Sequence, residues 1–492
     1  MRTYPKIKET QFNGKELTLG KNFVLTIGKK YYDKNQASLY RELFKNFTAS
    51  VGNLKIVTVE DEQPTAVLAS AAVSSLPKAQ AEEYDYVLKI DGKQAELHFH
   101  DQKSLAHALS TVLTLIEVRS TAKNAEEFTL PQGTAKDAPI MGFRSVHLCI
   151  FPETAYQLMK KYVRLAGLMK FTHVVLEFWG SYKFKCKKEL ARENAYTEKQ
   201  VRSLVADANA MGVEMIPMLN ILGHASLNRL RGGKHAVLDN YPKLAPLFDA
   251  SGWNWNILNP EVLDLHKKLI DELIDLFGEG AYVHLGGDEA FGYGTDRTFD
   301  GKDKYGLMCK YINELSAYVK GKGRTPMVWA DTFIWRNPEW IKAGCACNAE
   351  SEEIGERLLA ELDHDIIMVD WEYFLSCTDI PATKYLADHG YKIILAPWNN
   401  EASQGICVDN VTRFGYMGIM LTTWADVYKN FIYMTGGTLM WNGVKETQEH
   451  FKRFGVGGPA VKAGINYYLR NLYKTRKFKG TDNGILERDI EI

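Results

Sequence analysis

Two adjacent carboxyl side chains, Asp288 and Glu289, close the segment His284-Leu285-Gly286-Gly287-Asp288-Glu289. The segment follows a short apolar run, so the two acids are predicted at the tip of a β-strand. Successive strand residues point to opposite faces, and both acids can face one ligand only where the chain has left the strand. The two glycines remove side chains where a ligand could approach the backbone. Carboxyl groups in two different surroundings can divide general acid and base roles near neutral pH.

Other polar and aromatic residues follow the remaining apolar runs of this part of the chain. Indole rings stack on the apolar faces of sugar rings, and carboxylates and amides bind hydroxyl groups. Four Trp and several carboxylates at one surface therefore indicate a carbohydrate site. The candidate residues are Glu177, His224, Trp329, Trp371, Tyr373, Trp398, Trp424 and Asp426, with Asn220, Asp331, Asp370 and Glu372 nearby.

Eight short apolar runs, separated by amphipathic helical patterns, follow Pro139. Doubly apolar strands that alternate with helices are typical of a parallel sheet, because helices must cover the sheet. Eight such units in residues 139–450 predict an α/β fold, a (β/α)8 TIM barrel, whose active site lies at the carboxyl ends of the strands. The runs are 142–150, 173–178, 213–219, 281–287, 326–331, 365–371, 391–397 and 418–424.

Residues 1–138 show a mixed pattern before the barrel. A β-hairpin is predicted from 84–91 and 95–100, which flank the turn Asp91-Gly92. Apolar residues at helical spacing predict a helix over 104–117. We therefore expect a small α+β domain over 1–138, and a C-terminal helical extension over 451–492.

Composition narrows the class of partner. The 492 residues carry 60 Lys and Arg against 60 Asp and Glu. A net charge of zero argues against nucleic acids and anionic membranes as binding partners, because these partners usually select proteins with an excess of basic residues. No apolar run approaches the roughly 20 residues that span a bilayer, and residues 1–20 lack a signal-peptide core. The seven Cys lack a C-x-x-C pattern, so we expect neither disulfides nor a Cys-rich metal site. We expect a cytoplasmic protein that uses no cofactor and no metal.

The segment ending in Asp288-Glu289 resembles glycoside hydrolase family 20, the exo-β-N-acetylhexosaminidases, whose signature is His-x-Gly-Gly-Asp-Glu. Similarity extends back through the preceding helix to Leu258-Asn259-Pro260-Glu261. VEMIPMLNILGHA (213–225) resembles the family's third strand and Gly-His turn, and DAPIMGFR (137–144) resembles its approach to the first strand. Trp424-Ala425-Asp426 is similar to the family's Trp-x-Glu. The first-strand pattern Arg-x-Val-His-Leu is closer to the family's cytosolic branch.

The resemblance implies an exo-acting retaining β-N-acetylhexosaminidase that removes terminal β-linked GlcNAc or GalNAc by substrate-assisted catalysis. Glu289 would protonate the glycosidic oxygen, while Asp288 holds the 2-acetamido N–H so that the substrate's carbonyl oxygen attacks C1. Water would then open the resulting oxazolinium ion with Glu289 as base.

The same resemblance implies roles for other residues around the sugar. Arg144 and Asp426 would bind its hydroxyl groups, and His224 would lie behind the acid. Tyr373 is a candidate replacement for the family's usual tyrosine, which holds the acetamide oxygen. The walls of the acetamide pocket would be Trp329, Trp371 and Trp424.

Three other interpretations compete. A conventional retaining glycosidase would use Glu289 as acid and Glu372 as nucleophile, with carboxyl groups about 5–5.5 Å apart. A non-catalytic sugar-binding barrel would keep the aromatic residues and not use the acids. A metal-dependent hydrolase would take its ligands from scattered residues without a tight spacing such as H-E-x-x-H, namely His173, His224, His284 and Asp331. The choice between GlcNAc and GalNAc stays open.

Overall fold

The computed structural model describes residues 3–50, 52–81, 83–120, 125–151, 154–226, 237–424, 430–454 and 467–473. The strands within these ranges are β1 (Glu9–Leu19), β2 (Asn22–Gly28), β3 (Asn53–Val59), β4 (Thr65–Ala69), β5 (Tyr86–Ile90), β6 (Gln94–Phe99), β7 (Glu117–Ser120), β8 (Ala125–Asp137), β9 (Phe143–Ile150), β10 (His173–Phe178), β11 (Glu214–Met218), β12 (Tyr282–His284), β13 (Thr325–Trp329), β14 (Ile367–Trp371), β15 (Lys392–Ala396) and β16 (Gly418–Thr422). The helices are α1 (Lys34–Phe47), α2 (Gln102–Leu115), α3 (Tyr156–Leu168), α4 (Glu198–Ala210), α5 (Val237–Asn240), α6 (Pro260–Phe277), α7 (Lys304–Gly321), α8 (Pro338–Lys342), α9 (Glu352–Glu361), α10 (Pro381–Asp388), α11 (Glu401–Phe414), α12 (Asn430–Asn442) and α13 (Val444–Phe454).

The first eight strands form one sheet in the order β1-β8-β5-β6-β4-β2-β3, with β7 paired to β8. The predicted hairpin is present, since β5 and β6 pair in antiparallel register from Tyr86 opposite Phe99 to Ile90 opposite Ala95. The predicted helix is α2, which begins at a capping box between Asp101 and Ser104. Helices α1 and α2 pack on this sheet, giving the expected small α+β unit.

Strands β9 to β16 form a closed parallel barrel, in which β16 pairs back to β9. Each of the eight predicted apolar runs overlaps one of these strands, and the predicted fold class is confirmed. Apolar side chains from alternate strand positions fill the barrel interior, including Val175, Ile216, Met327 and Ile394. No helix within the described ranges is long and apolar enough to cross a membrane.

Helix α6 leads directly to the strand that precedes the two acids. Asn259 caps it by accepting a hydrogen bond from the Glu261 N–H, and Pro260 occupies its first turn. Its buried positions include Val262, Leu269 and Leu273, which recur at helical spacing. Gly278 ends the helix with a φ of 72°, a left-handed conformation that glycine tolerates. The chain then reverses into β12.

A group of buried polar residues joins the small sheet to the N-terminal ends of the barrel strands. We call Asp137, Arg144, Lys170, Tyr86 and Trp441 the rim cluster. Asp137 accepts hydrogen bonds from the Tyr86 hydroxyl (2.6 Å), Lys170 Nζ (2.7 Å) and Trp441 Nε1 (2.8 Å). The charged group of Arg144 lies 4.9 Å from the Trp441 ring, and that of Lys170 lies 4.3 Å from it. The buried charges are thus paired or stacked, as burial requires.

Candidate active site

The turn that carries Asp288 and Glu289 requires both of its glycines. Gly286 has a φ of 65° and Gly287 a φ of 96°, conformations that disfavour other residues. A Cβ added to Gly286 would lie 2.8 Å from Asn220 Cα, which is closer than packed atoms allow. This close approach joins the ends of β11 and β12 at the C-terminal mouth of the barrel.

His224 contacts both acids of the pair. Its Nε2 lies 3.1 Å from Asp288 Oδ2 and 3.5 Å from Glu289 Oε2. The Asp288 side chain is only 6% exposed, whereas that of Glu289 is 28% exposed. Gly223 permits this contact, because a Cβ there would lie 2.5 Å from the Asp288 carbonyl oxygen. The two carboxyls therefore face a common histidine from different surroundings, as an acid and an orienting carboxylate need.

The tip of β13 holds the turn by three hydrogen bonds. Trp329 N–H donates to the Gly286 carbonyl (2.9 Å), and Thr332 Oγ1 donates to the Gly287 carbonyl (2.9 Å). Glu289 N–H donates to Asp331 Oδ2 (3.1 Å). Glu289 has a φ of 47°, which costs about 1 kcal/mol or more for a non-glycine residue, so this region must be held by its neighbours.

Asp331 is the central acceptor of this support. It is completely buried, and Asn348 Nδ2 also donates to its Oδ2 (2.5 Å). Burial, together with the charge of Asp288, raises the pKa of Asp331 to about 7. At pH values below this pKa, Asp331 is mostly neutral and adds no second negative charge beside Asp288.

The predicted aromatic side chains lie close to one another at the mouth. The Trp329 and Trp424 rings lie 5.8 Å apart, Trp371 and Tyr373 4.8 Å apart, and Tyr373 and Trp398 5.5 Å apart. Trp424 Nε1 donates to the Tyr373 hydroxyl (2.7 Å). Burial raises the pKa of that hydroxyl well above its ordinary value, so it keeps its proton for donation.

Two further aromatic residues at the mouth were not predicted. The Trp179 ring stacks on His224 at 5.5 Å, and the Trp253 ring lies 4.6 Å from the same histidine. Trp253 Nε1 also donates to the Glu289 carbonyl (2.7 Å). Both residues lie in loops, where neither strand nor helix periodicity predicts an orientation.

Glu177 lies at the end of β10 in a buried polar group. His147 Nε2 lies 2.9 Å from its Oε2, Asn220 Nδ2 donates to its Oε1 (2.6 Å), and the Trp179 indole N–H also donates to it. His147 is an inward-facing residue of β9 in this group. Glu177 also lines a cavity of about 80 Å³ together with His224, although Asp288 and Glu289 do not line it.

The structure corrects the predicted position of Arg144. Arg144 is the second residue of β9, and its guanidinium donates to the backbone carbonyls of Lys170 (3.0 Å) and Met141 (2.6 Å) in the rim cluster. The mouth is at the other end of the strand, about 20 Å away at roughly 3.3 Å per residue. Arg144 therefore cannot bind a sugar at the mouth. Burial also lowers the pKa of Arg144 to about 10.

Glu372 also lies away from the acids. Trp371 faces the barrel interior, so the next residue points outward, and Glu372 is completely buried beside Cys345 and Cys377. A nucleophile behind the strand cannot reach a sugar at the mouth, and the conventional retaining interpretation is wrong for Glu372. Asp426 lies outside the described residues, so its role stays a prediction.

The candidate metal ligands are not brought together. His173 begins β10 and stacks on Phe143 at 4.2 Å near the N-terminal end of the barrel. His284 accepts a hydrogen bond from the Gly286 N–H (3.0 Å), and burial lowers its pKa to about 3. No group of three or more His, Cys, Asp or Glu suited to a metal ion occurs in the described part of the chain.

Two characterised bacterial proteins are similar in sequence to parts of this chain. The chain is 28% identical over 226 residues to a lacto-N-biosidase of Bifidobacterium bifidum, covering 42% of this chain and 19% of that protein. It is 24% identical over 328 residues to a β-hexosaminidase of Porphyromonas gingivalis, covering 58% and 40%. The chain thus spans less than half the length of these curated relatives.

Solved structures share the fold over nearly the whole chain. A Flavobacterium johnsoniae chitobiase matches with a TM-score of 0.66 and 17% identity, covering 95% of this chain and 72% of that one. A Streptomyces plicatus N-acetyl-β-hexosaminidase matches with a TM-score of 0.64 and 14% identity, covering 97% of each chain.

Two family profiles match the sequence itself. The description "Glycosyl hydrolase family 20, domain 2" matches residues 1–138. The description "Glycosyl hydrolase family 20, catalytic domain" matches residues 171–435, more than half of the chain and the part that carries the mouth. The chain belongs to glycosyl hydrolase family 20.

Proposed function

We propose that this chain is an exo-acting, retaining β-N-acetylhexosaminidase that removes terminal β-linked GlcNAc or GalNAc by substrate-assisted catalysis. The observation that carries the proposal is the contact of Asp288 and Glu289 with one histidine at the mouth. Adjacent acids of one turn do not straddle a sugar ring, as an acid and an opposed enzyme nucleophile must. The attacking group then comes from the substrate.

The different exposures of the two acids suit different catalytic roles. Glu289, the more exposed, donates its proton to the glycosidic oxygen as the bond from that oxygen to C1 breaks. Asp288 Oδ2 faces His224, while its buried Oδ1 has no hydrogen-bond partner among the described residues and accepts the 2-acetamido N–H. The acetamide oxygen attacks C1, giving an oxazolinium ion. Water then adds to C1 as Glu289 takes its proton, which restores the acid and retains the β configuration.

The acetamide group is enclosed by Trp329, Trp371 and Trp424. Tyr373 accepts a hydrogen bond from Trp424 and donates its own proton to the acetamide oxygen, which orients that oxygen towards C1. An oriented internal nucleophile avoids the entropy of bringing in a second reactant. Glu177 and Trp398 border the same mouth and complete the proposed sugar-binding set, together with Asp426.

The names of the relatives agree with this substrate class. A β-hexosaminidase, a chitobiase and a lacto-N-biosidase are among the similar proteins. Because this chain matches only part of the curated relatives, its own substrate needs a direct test.

Hydrolysis of p-nitrophenyl β-GlcNAc and β-GalNAc, compared with the plain β-glucoside, tests the proposal. Wild type should cleave at least one acetamido substrate and turn over the glucoside at least a hundredfold more slowly. Asp288→Asn should lower kcat on the acetamido substrate about a hundredfold, because the attacking amide loses its orientation. Efficient cleavage of the glucoside that survives Asp288→Asn would overturn the proposal.

A further inference from the structure

The chain rises from the interior of the mouth to its surface between Asp288 and Phe291. The side chains of Asp288 and Glu289 are 6% and 28% exposed, and Phe291 as a whole residue is 44% exposed. Phe291 is one of the few large apolar residues with this exposure among the described residues. We propose that Phe291 is the binding platform for the first sugar of the leaving group, so that the natural leaving group is a saccharide.

Phe291 is fixed relative to the acid. Its N–H donates to the Glu289 carbonyl (2.5 Å), and Asn254 Nδ2 donates to its own carbonyl (2.9 Å). Its ring lies nearly parallel to that of Trp253, with 20° between the planes and 6.4 Å between the centroids. Trp253 in turn donates to the Glu289 carbonyl (2.7 Å). One face of Phe291 is thus backed by Trp253, which itself packs on His224.

The direction of the substrate follows from the proposed function, on which this inference rests. The acetamide group lies at Asp288, and the glycosidic oxygen must lie within hydrogen-bond distance of the Glu289 carboxyl. The leaving group therefore extends from Glu289 away from Asp288, towards the surface. Phe291 follows Glu289 by two residues and is 44% exposed, so we place it beside the leaving group, where an exposed aromatic face suits the apolar face of a pyranose ring.

Phe374 is the other strongly exposed aromatic residue near the mouth. It is 62% exposed and its ring lies 6.3 Å from Trp398. It directly follows Tyr373 and is the alternative exposed platform near the mouth. Phe414, at the end of α11, is 46% exposed and packs with Tyr416 at 5.8 Å. It serves as a matched exposed phenylalanine away from the mouth.

Two substrates with the same terminal sugar separate the platform from the catalytic site. The first is β-N-acetylglucosaminyl fluoride, whose leaving group has no ring. The second is whichever of the β1,3-, β1,4- and β1,6-linked GlcNAc disaccharides wild type cleaves fastest. Phe291→Ala should lower kcat/KM on the disaccharide about five- to tenfold, mainly through KM, and leave the fluoride within twofold. Phe291→Tyr should keep wild-type values on both, and Phe414→Ala should change neither.

The fluoride reaction also reports whether Phe291→Ala is folded. The assignment would be overturned if Phe291→Ala lost kcat/KM equally on both substrates. It would also be overturned if Phe374→Ala, and not Phe291→Ala, lost kcat/KM on the disaccharide alone. Wild-type cleavage of the fluoride without cleavage of any disaccharide would also overturn it and leave the proposed function intact. Wild type that cleaves neither the fluoride nor any aryl N-acetylhexosaminide would contradict the proposed function itself.

Discussion

At the N-terminal end of the barrel, Asp137 accepts hydrogen bonds from Tyr86, Lys170 and Trp441 through its two oxygens. At the C-terminal end, Asp288 is nearly as buried, yet its Oδ1 has no hydrogen-bond partner among the described residues. Burying a carboxylate with an unfilled oxygen costs free energy unless the group keeps a proton or a ligand supplies the partner. Burial raises the pKa of Asp370 to about 7 and raises that of Glu372, so these two buried carboxyls, whose oxygens also lack some partners among the described residues, can keep a proton. In the proposed function, a substrate N–H fills the open oxygen of Asp288, whereas both oxygens of Asp137 are paired within the fold.

The backbone shows a related difference. His224, Glu289 and Trp424 have φ values of 59°, 47° and 37°, and all three lie at the mouth. Outside the mouth, the described non-glycine residues with positive φ values are Ala49, Ser50 and Lys170 (52°, 70° and 62°), none of which the proposed function places beside a substrate. Strain at the mouth is retained beside groups that a substrate would contact, as is common at active sites.

Glu289→Gln should have the largest effect. It removes the general acid, and we expect kcat on a β-N-acetylglucosaminide with a sugar leaving group to fall about a thousandfold. The free energy of unfolding should stay close to wild type, because Glu289 is partly exposed. Glu372→Gln is the control, since that buried residue lies behind β14, and its folded form should keep wild-type kcat. A smaller loss in Glu289→Gln than in Glu372→Gln would exclude Glu289 as the acid.

Asp137→Asn should act on stability and not on catalysis. It leaves the buried Lys170 without its charge partner, and the free energy of unfolding should fall by about 3–5 kcal/mol in urea denaturation. The kcat of the folded variant should remain within twofold of wild type. Lys29→Ala breaks the exposed pair with Glu60 and should not change stability measurably. A selective loss of kcat in Asp137→Asn would remove the distinction between the two ends.

Gly286→Ala tests how closely the turn must approach β11. The new Cβ would meet Asn220, so we expect the acids to shift and kcat to fall about a hundredfold. Gly415 also has a positive φ (71°), but a Cβ there meets nothing within 4 Å. Gly415→Ala should therefore cost only about 1 kcal/mol of stability and leave kcat unchanged. Equal kinetic effects of the two variants would argue against the close approach.

Asp331 and Asp85 should affect stability differently between pH 5 and 7. Burial raises the pKa of Asp331 to about 7, so between pH 4 and 7 the folded state binds more protons than the unfolded state and stability falls as pH rises. Asp331→Asn removes this loss, and its free energy of unfolding relative to wild type should rise by about 2 kcal/mol from pH 5 to pH 7. A difference that does not change with pH would contradict the raised pKa.

Asp85 is the control from the N-terminal end. Burial by itself would raise its pKa, but His107, Arg144 and Lys170 hold the pKa below its ordinary value. Its contribution to stability is therefore present above the unfolded pKa and lost only as pH falls through the folded one. Asp85→Asn should differ from wild type by a constant amount between pH 5 and 7.

The strands and the pair of acids could be predicted because their signals are local. Each barrel strand is a short apolar run, and the glycines before Asp288 mark the turn that joins β12 to the mouth. The closed order of the strands followed from their number and their alternation with helices.

Arg144 and Glu372 were misplaced for reasons that strand geometry explains. The motif at the approach to β9 led to the expectation that Arg144 binds the sugar. Arg144 lies near the start of that strand, whereas the active sites of barrels form at the ends of the strands. Glu372 follows an inward-facing Trp371, and the alternation of strand side chains turns it outward. The orientations of Trp179 and Trp253 depend on loop packing around His224, which no periodicity in the sequence encodes.

The most direct test of the account is inhibition by a thiazoline analogue of the GlcNAc oxazolinium ion, whose ring cannot be opened in the same way. If the substrate's own amide attacks C1, the analogue should compete with substrate and bind wild type at least a hundredfold more tightly than GlcNAc. Asp288→Asn should lose most of that advantage. A thiazoline that binds no better than GlcNAc to an enzyme that cleaves β-N-acetylglucosaminides would contradict substrate-assisted catalysis at Asp288 and Glu289.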